Sequence, residues 1–262
     1  GGGINAGDGS TIIRNNVEKA TGTGINTNGN ASVTYNRVVG AGQGIITSAG
    51  TVDNNLVANT TGDGLHPGTA TIRSNTFIGV SGNAVFLDNV PGAFEFNNFE
   101  FNTGTYDVYV TVSKTTVINL VVQNNWWGTT DSNLIKERTW DYYDDYSLAK
   151  LITLPVLTTP SQTAPAYVRS VTLDPESPVG IQTVNFTVEF SQPMDSGVTP
   201  ELSFADSQGD YWHTVTPEEG LCGTHIRHIV SDDLGYVWIA TYNGGSCKRL
   251  LDGSIISLGG GG

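Results

Sequence analysis

The sequence predicts an all-β chain in two parts: a parallel β-helix of about six rungs over residues 1–157 and a β-sandwich-like module over 166–258. Three observations carry this. An Asn-centred pattern recurs at spacings of 21, 19, 20, 22 and 27 residues. A second element, a small residue followed by an apolar one, keeps step with it. The composition, 33 Gly against 12 Lys+Arg in 262 residues, is that of turns and short strands. Periods this short leave no room for a crossover helix, so the strands must stack like on like.

The first element reads apolar, two residues, Asn, one residue, apolar. It begins at Ile12, Val33, Val52, Ile72, Phe94 and Val121, and its asparagines are Asn15, Asn36, Asn55, Asn75, Asn97 and Asn124. The apolar residues are expected to stack inward at about 4.8 Å per rung, and β-branched side chains suit such a stack. The asparagines mark a sharp bend, because Asn tolerates a left-handed backbone and its amide bonds neighbouring groups. Stacked, they form a structural ladder. The second element is Gly3-Ile4, Gly24-Ile25, Gly44-Ile45, Gly64-Leu65, Ala84-Val85 and Asp107-Val108. Six phased matches favour the coil over a β-sandwich with accidental Asn turns.

This pattern resembles the right-handed parallel β-helix repeat family, over about residues 1–157. The resemblance implies an exported protein of the kind that includes polysaccharide lyases, polysaccharide-binding surface proteins and structural adhesins.

A stacked coil needs a cap at its raw apolar end. The periodicity stops at "NNWWGT", 124–129. Trp126 is read as the last inward residue and Trp127 as part of the lid. A short helix follows, with Thr130 or Asp131 as N-cap and Leu134, Ile135 and Arg138 at helical spacing. Trp140, Tyr142 and Tyr143 complete the cap. The alternative use of Trp127, Trp140, Tyr142 and Tyr143 is a sugar-stacking platform. "TTPSQTAP", 158–165, has the composition of a linker. Residues 166–210 resemble part of a bacterial immunoglobulin-like module, and 214–253 resemble one propeller repeat of two-component sensor ectodomains. The matching features of the latter are Asp232 to Gly235 and Val237 to Thr241.

A net charge of −13 argues against nucleic acid and against docking on an anionic membrane. No apolar run approaches the roughly 18 residues of a membrane span. Asp53, Arg73 and Glu95 share one repeat slot and are expected to form a cross-strand ion-pair ladder rather than a lyase centre. Asp63 and His66 in "GDGLHPG" are the other suggestive pair. No Ser/His/Asp, zinc-spacing or phosphate-loop signature is present, so no catalytic residue, cofactor or metal is assigned. Cys222 and Cys247 are a candidate disulfide, and Asn30, Asn59 and Asn185 head glycosylation sequons. The chain starts at Gly1 in mid-coil, with no cap before Gly3-Ile4, and ends in "ISLGGGG". These features give the expectation of an extracellular or cell-surface structural protein, homo-oligomeric, polymerising head to tail into a filament or layer. The alternative is a polysaccharide-binding or polysaccharide-cleaving β-helix.

Overall fold

The computed structural model describes residues 2–174, 185–194, 197, 217–232, 234, 236–242, 244–250 and 254–258. The first part is a parallel β-solenoid of about five turns. Its first sheet runs through Ile4–Ala6, Thr23–Thr27, Gln43–Ile46, Leu65–His66, Val85–Leu87, Val108–Val110 and Thr139–Trp140. The second runs through Thr11–Ile13, Asn30–Thr34, Ala49–Asp53, Thr71–Arg73 and Phe94–Glu95. The third runs through Asn16–Glu18, Arg37–Val39, Leu56–Ala58, Thr76–Ile78 and Asn98–Glu100.

Each sheet contributes one inward column. Ile12, Val33, Val52, Ile72 and Phe94 are in register on the second sheet. Ile25, Ile45, Leu65, Val85 and Val108 are in register on the first. The third column, Val17, Val38, Val57, Phe77 and Phe99, completes the core. Burying each such side chain stabilises by about 1.5–3 kcal/mol before chain entropy is charged. The small residue before the first column is sterically required. A Cβ on Gly44 would lie 2.1 Å from the Gly64 carbonyl oxygen and 2.6 Å from Val57 Cγ1.

The bend between the second and third sheets holds the amide ladder. Asn55 Nδ2 donates to Asn75 Oδ1 at 3.0 Å and to the Val33 carbonyl at 2.8 Å. Asn55 Oδ1 accepts from the backbone N–H and the amide of Asn36. The same exchange links Asn15 to Asn36, Asn75 to Asn97, and Asn97 onward. Two expectations need correction here. The last rung is Asn125, not Asn124: Asn97 donates to Asn125 Oδ1 from both its backbone N–H and its amide. Accordingly Val122 is buried while Val121 is 56% exposed. The left-handed residue is also not the ladder Asn but the one before it: Arg14, Tyr35, Asn54, Ser74, Phe96 and Asn124, with φ between 51° and 60°.

The shift by one residue reassigns the tryptophans. Trp127 continues the inward column, stacked on Phe99 at 4.9 Å, and Phe99 stacks on Phe77 at 5.4 Å. Trp126 faces the other way, paired in the ladder with Asn98. The end is then closed by the helix Ser132–Glu137, capped by Asp131 and burying Ile135, and by Lys150–Ile152, which runs parallel to Asn119–Val121.

The "linker" expected at 158–165 lies against the outer face of the third sheet. Ser161 N donates to Asn98 Oδ1 at 2.7 Å, Thr76 Oγ1 donates to the Pro165 carbonyl at 2.7 Å, and Ser74 and Thr163 hydroxyls are 3.0 Å apart. The compact unit containing the solenoid extends to Met194 and includes the antiparallel pair Val168–Asp174 and Asn185–Phe190. Most of the rest of 166–210, the segment expected to be immunoglobulin-like, lies outside the described residues. The second unit, from Asp195, carries an antiparallel sheet of Ile226–Ser231, Val237–Thr241, Ser246–Arg249 and Ile255–Ser257. Antiparallel sheets of this kind are what a sandwich-like module is made of.

Candidate functional site

The charged column of the second sheet is in register as Asp53, Arg73 and Glu95. It is not a continuous ladder. Arg73 Nε reaches Glu95 Oε1 at 2.8 Å, while Asp53 Oδ1 is buried without a hydrogen-bond partner. A guanidinium between two carboxylates has turned to one of them. Burial pushes the Asp53 carboxyl above its ordinary range, against hydrogen bonds from Asn54 and the charge of Arg73. Around the bend Arg37 makes a close ion pair with Glu18 of the preceding turn.

Asp63 and His66 have separate partners. Asp63 Oδ1 accepts from the backbone N–H and amide of Asn83, at 2.8 and 2.9 Å. His66 Nε2 lies 3.1 Å from Asp88 Oδ2. The His66 ring also begins an outward row that the sequence reading did not anticipate. It meets Phe86 edge-on at 4.8 Å, Phe86 stacks on Tyr109 at 5.6 Å, and Tyr109 stacks on Trp140 at 5.8 Å. Trp140 therefore ends an external aromatic column rather than sealing the core. The signal was available: each member follows the inward residue of the first sheet by one position.

The cap tyrosines are likewise outside the core. Tyr143 is 48% exposed, with Lys136 and Lys150 over its ring at 4.5 and 5.0 Å, and Lys114 lies over Tyr142 at 5.7 Å. The Tyr143 hydroxyl beside Lys150 holds that ammonium above its usual pKa. Asp141 organises this corner, accepting from the backbone N–H groups of Tyr143 and Leu151.

A buried carboxylate also escaped the sequence reading. Glu100 Oε2 accepts from Trp126 Nε1 at 2.5 Å and from the Tyr167 hydroxyl, with Arg169 4.0 Å from Oε1. Burial, and then Glu100 itself, push the Tyr167 phenol well above its ordinary range, so it stays a donor. This contact ties 158–167 to the solenoid. Arg138 does similar work at the cap, holding Asp107 at 3.0 Å and the Asn102 carbonyl at 3.1 Å.

Cys222 and Cys247 are joined as a disulfide with their Cα atoms 5.7 Å apart. In the same unit Asp232 accepts from Trp238 Nε1 at 2.8 Å and from the Leu234 and Tyr236 N–H groups, which fixes the hairpin between Ile226–Ser231 and Val237–Thr241. Asn30, Asn59 and Asn185 are all exposed, as a glycosylated residue must be. Among the described residues no three His, Cys, Asp or Glu side chains are grouped as a metal site needs. No protein-family model, curated protein or solved structure matches this chain.

Proposed function

We propose that the chain is the structural, non-catalytic part of an exported or cell-surface protein, a rigid solenoid that joins copies of itself head to tail. One observation carries the reading: the carboxylates that catalysis would need are spent on the scaffold. Glu95 holds Arg73, Asp107 holds Arg138, Asp63 holds the Asn83 turn, Asp88 holds His66, and Glu100 holds Trp126 and Tyr167. A lyase needs a free cationic base beside an unpaired acidic cluster, and here the carboxylates Glu95, Asp107, Asp63, Asp88 and Glu100 are each engaged by a neighbouring side chain.

Export is supported by the disulfide, which persists in oxidising compartments. Axial association is supported by the parallel sheets, whose strands present the same hydrogen-bonding edge at every turn. A second copy that pairs with such an edge makes a heterologous contact, which propagates unless its rotation closes a ring. Two measurements test this together. Sedimentation velocity over a concentration series, with electron microscopy of the same samples, is expected to show end-to-end oligomers. Incubation with acidic polysaccharides is expected to release no unsaturated sugars. A monomer at every concentration overturns the assembly, and turnover abolished by Arg73→Ala overturns the structural reading itself.

A further inference from the structure

Between the bend of the second and third turns and the docked segment 162–165 lies a cleft of about 480 Å³. That volume falls in the range of roughly 300–1,000 Å³ typical of small-molecule sites. Its walls include Tyr35, Arg37, Asn54 and Leu56 from the solenoid, Gln162 from the segment packed on it, and Gln192, which follows the strand Asn185–Phe190 and bonds that segment. Both walls are fixed before any ligand arrives. The amide ladder runs under the first, and Asn98, Thr76 and Ser74 hold the second by hydrogen bonds. Preorganised walls spare a ligand the entropy of ordering them.

The lining mixes carbon surface from Leu56, Ala164 and Pro165 with amide groups, and among the described residues its charged member is Arg37. Gln162 and Gln192 each donate one hydrogen bond from Nε2, to the Pro160 and Ala164 carbonyls, which leaves each Oε1 to accept. Arg37 engages Asn16 and Glu18 through Nη1, so its charge is balanced. Tyr35 is 53% exposed, and the Arg14 guanidinium lies 5.5 Å from its ring centroid. Its backbone is left-handed, φ 57°, in the slot where other turns place Arg14, Asn54, Ser74, Phe96 and Asn124. A bulky residue holds that conformation at greater cost than Asn. A costly aromatic ring, half in solvent, beside convergent amides suits one chemical class. A pyranose offers C–H bonds to an aromatic ring and hydroxyls to amide groups.

We infer that this cleft binds a neutral saccharide unit, with Tyr35 as the ring contact and Gln162 and Gln192 as the hydroxyl partners. A pyranose matches that mixture of carbon and amide surface, and an acidic sugar would find the lining's cation, Arg37, already paired with Glu18. The inference stands whether or not the solenoid assembles.

The test uses the whole chain and saturation-transfer NMR with isothermal titration, against cellohexaose, xylohexaose, mannohexaose and, for contrast, oligogalacturonate. At least one neutral oligosaccharide is expected to bind with a Kd on the order of 1 mM or tighter. Tyr35→Asn, which suits the backbone slot, is expected to fold as well as the parent and to weaken binding about tenfold, roughly 1.4 kcal/mol. The double variant Gln162→Ala/Gln192→Ala is expected to do the same with an unchanged thermal midpoint. Absence of neutral binding, binding of the acidic probe alone, or binding indifferent to both variants overturns the inference.

Discussion

Replacing Asn55 by Ala removes a ladder amide from the middle of the solenoid, where the residue is fully buried. The Asn36 backbone N–H loses its 2.9 Å acceptor, and the Asn36 amide loses one of three. The Val33 and Asp53 carbonyls and Asn75 Oδ1 each lose one donor. A buried donor left without a partner costs about 1–3 kcal/mol, and each hydrogen bond lost elsewhere about 1 kcal/mol net. An amide has two N–H groups, so the three donations of Asn55 count as two bonds, and the Asn36 amide keeps its two other acceptors; the expected loss is about 3–5 kcal/mol. Asn15→Ala provides the internal comparison. Its amide donates to Ile13 O and to Asn36 Oδ1, but Asn36 Oδ1 keeps the Asn15 backbone N–H. That loss should be about 1 kcal/mol. Urea denaturation followed by far-UV circular dichroism and tryptophan fluorescence measures both. Equal losses in the two variants, or a loss at Asn55 below about 1 kcal/mol, would show that the amides occupy the bend without holding it.

The neighbouring pair at the end of the ladder separates bend from rung: Asn124→Gly should be neutral or stabilising, because φ is 56° there, whereas Asn125→Ala should cost about 3 kcal/mol by the same measurement. Asp53 has a raised pKa when folded, so its contribution is present below the ordinary Asp range and is lost as pH rises through the folded value. Asp53→Asn should therefore raise the urea midpoint at pH 7 and leave it unchanged below about pH 3.5, and a gain equal at both pH values would refute the assignment. Cys222 and Cys247 close a loop with a sequence separation of 25, so Cys222→Ser/Cys247→Ser should destabilise the second unit by about 3.5 kcal/mol in the chain-entropy treatment, read as increased proteolysis after residue 195 with the solenoid left intact.

What the sequence revealed and what it hid follow from one physical distinction. A stacked coil asks for the same residue type at the same place in each turn, so the inward columns and the amide bend repeat visibly. The slip at the last rung came where the repeat offers two of everything, Val121-Val122, Asn124-Asn125 and Trp126-Trp127; only the inward ring stack on Phe99 decides between them. Outward positions carry no such demand. The row from His66 to Trp140 shares an environment but not a residue type, and its stacking becomes apparent only once the strands are in register. The segment "TTPSQTAP" looked solvated because small polar residues serve equally well in water or on a polar sheet face, and nothing in it announces Asn98 and Thr76 as partners. The Glu100–Tyr167 contact spans 67 residues and occurs once, so no period encodes it. Repetition thus records what the scaffold requires, while a binding surface must be built from residues that break it. Tyr35 sits in a bend slot that varies from turn to turn; Asn holds the same left-handed backbone at lower cost, as Asn54 shows one turn later, and the ring is held half exposed beside amides that the ladder does not use. If Tyr35→Asn stabilises the fold while weakening saccharide binding, stability and recognition are in opposition at that position, and the choice of a bulky ring for a left-handed backbone has its physical explanation.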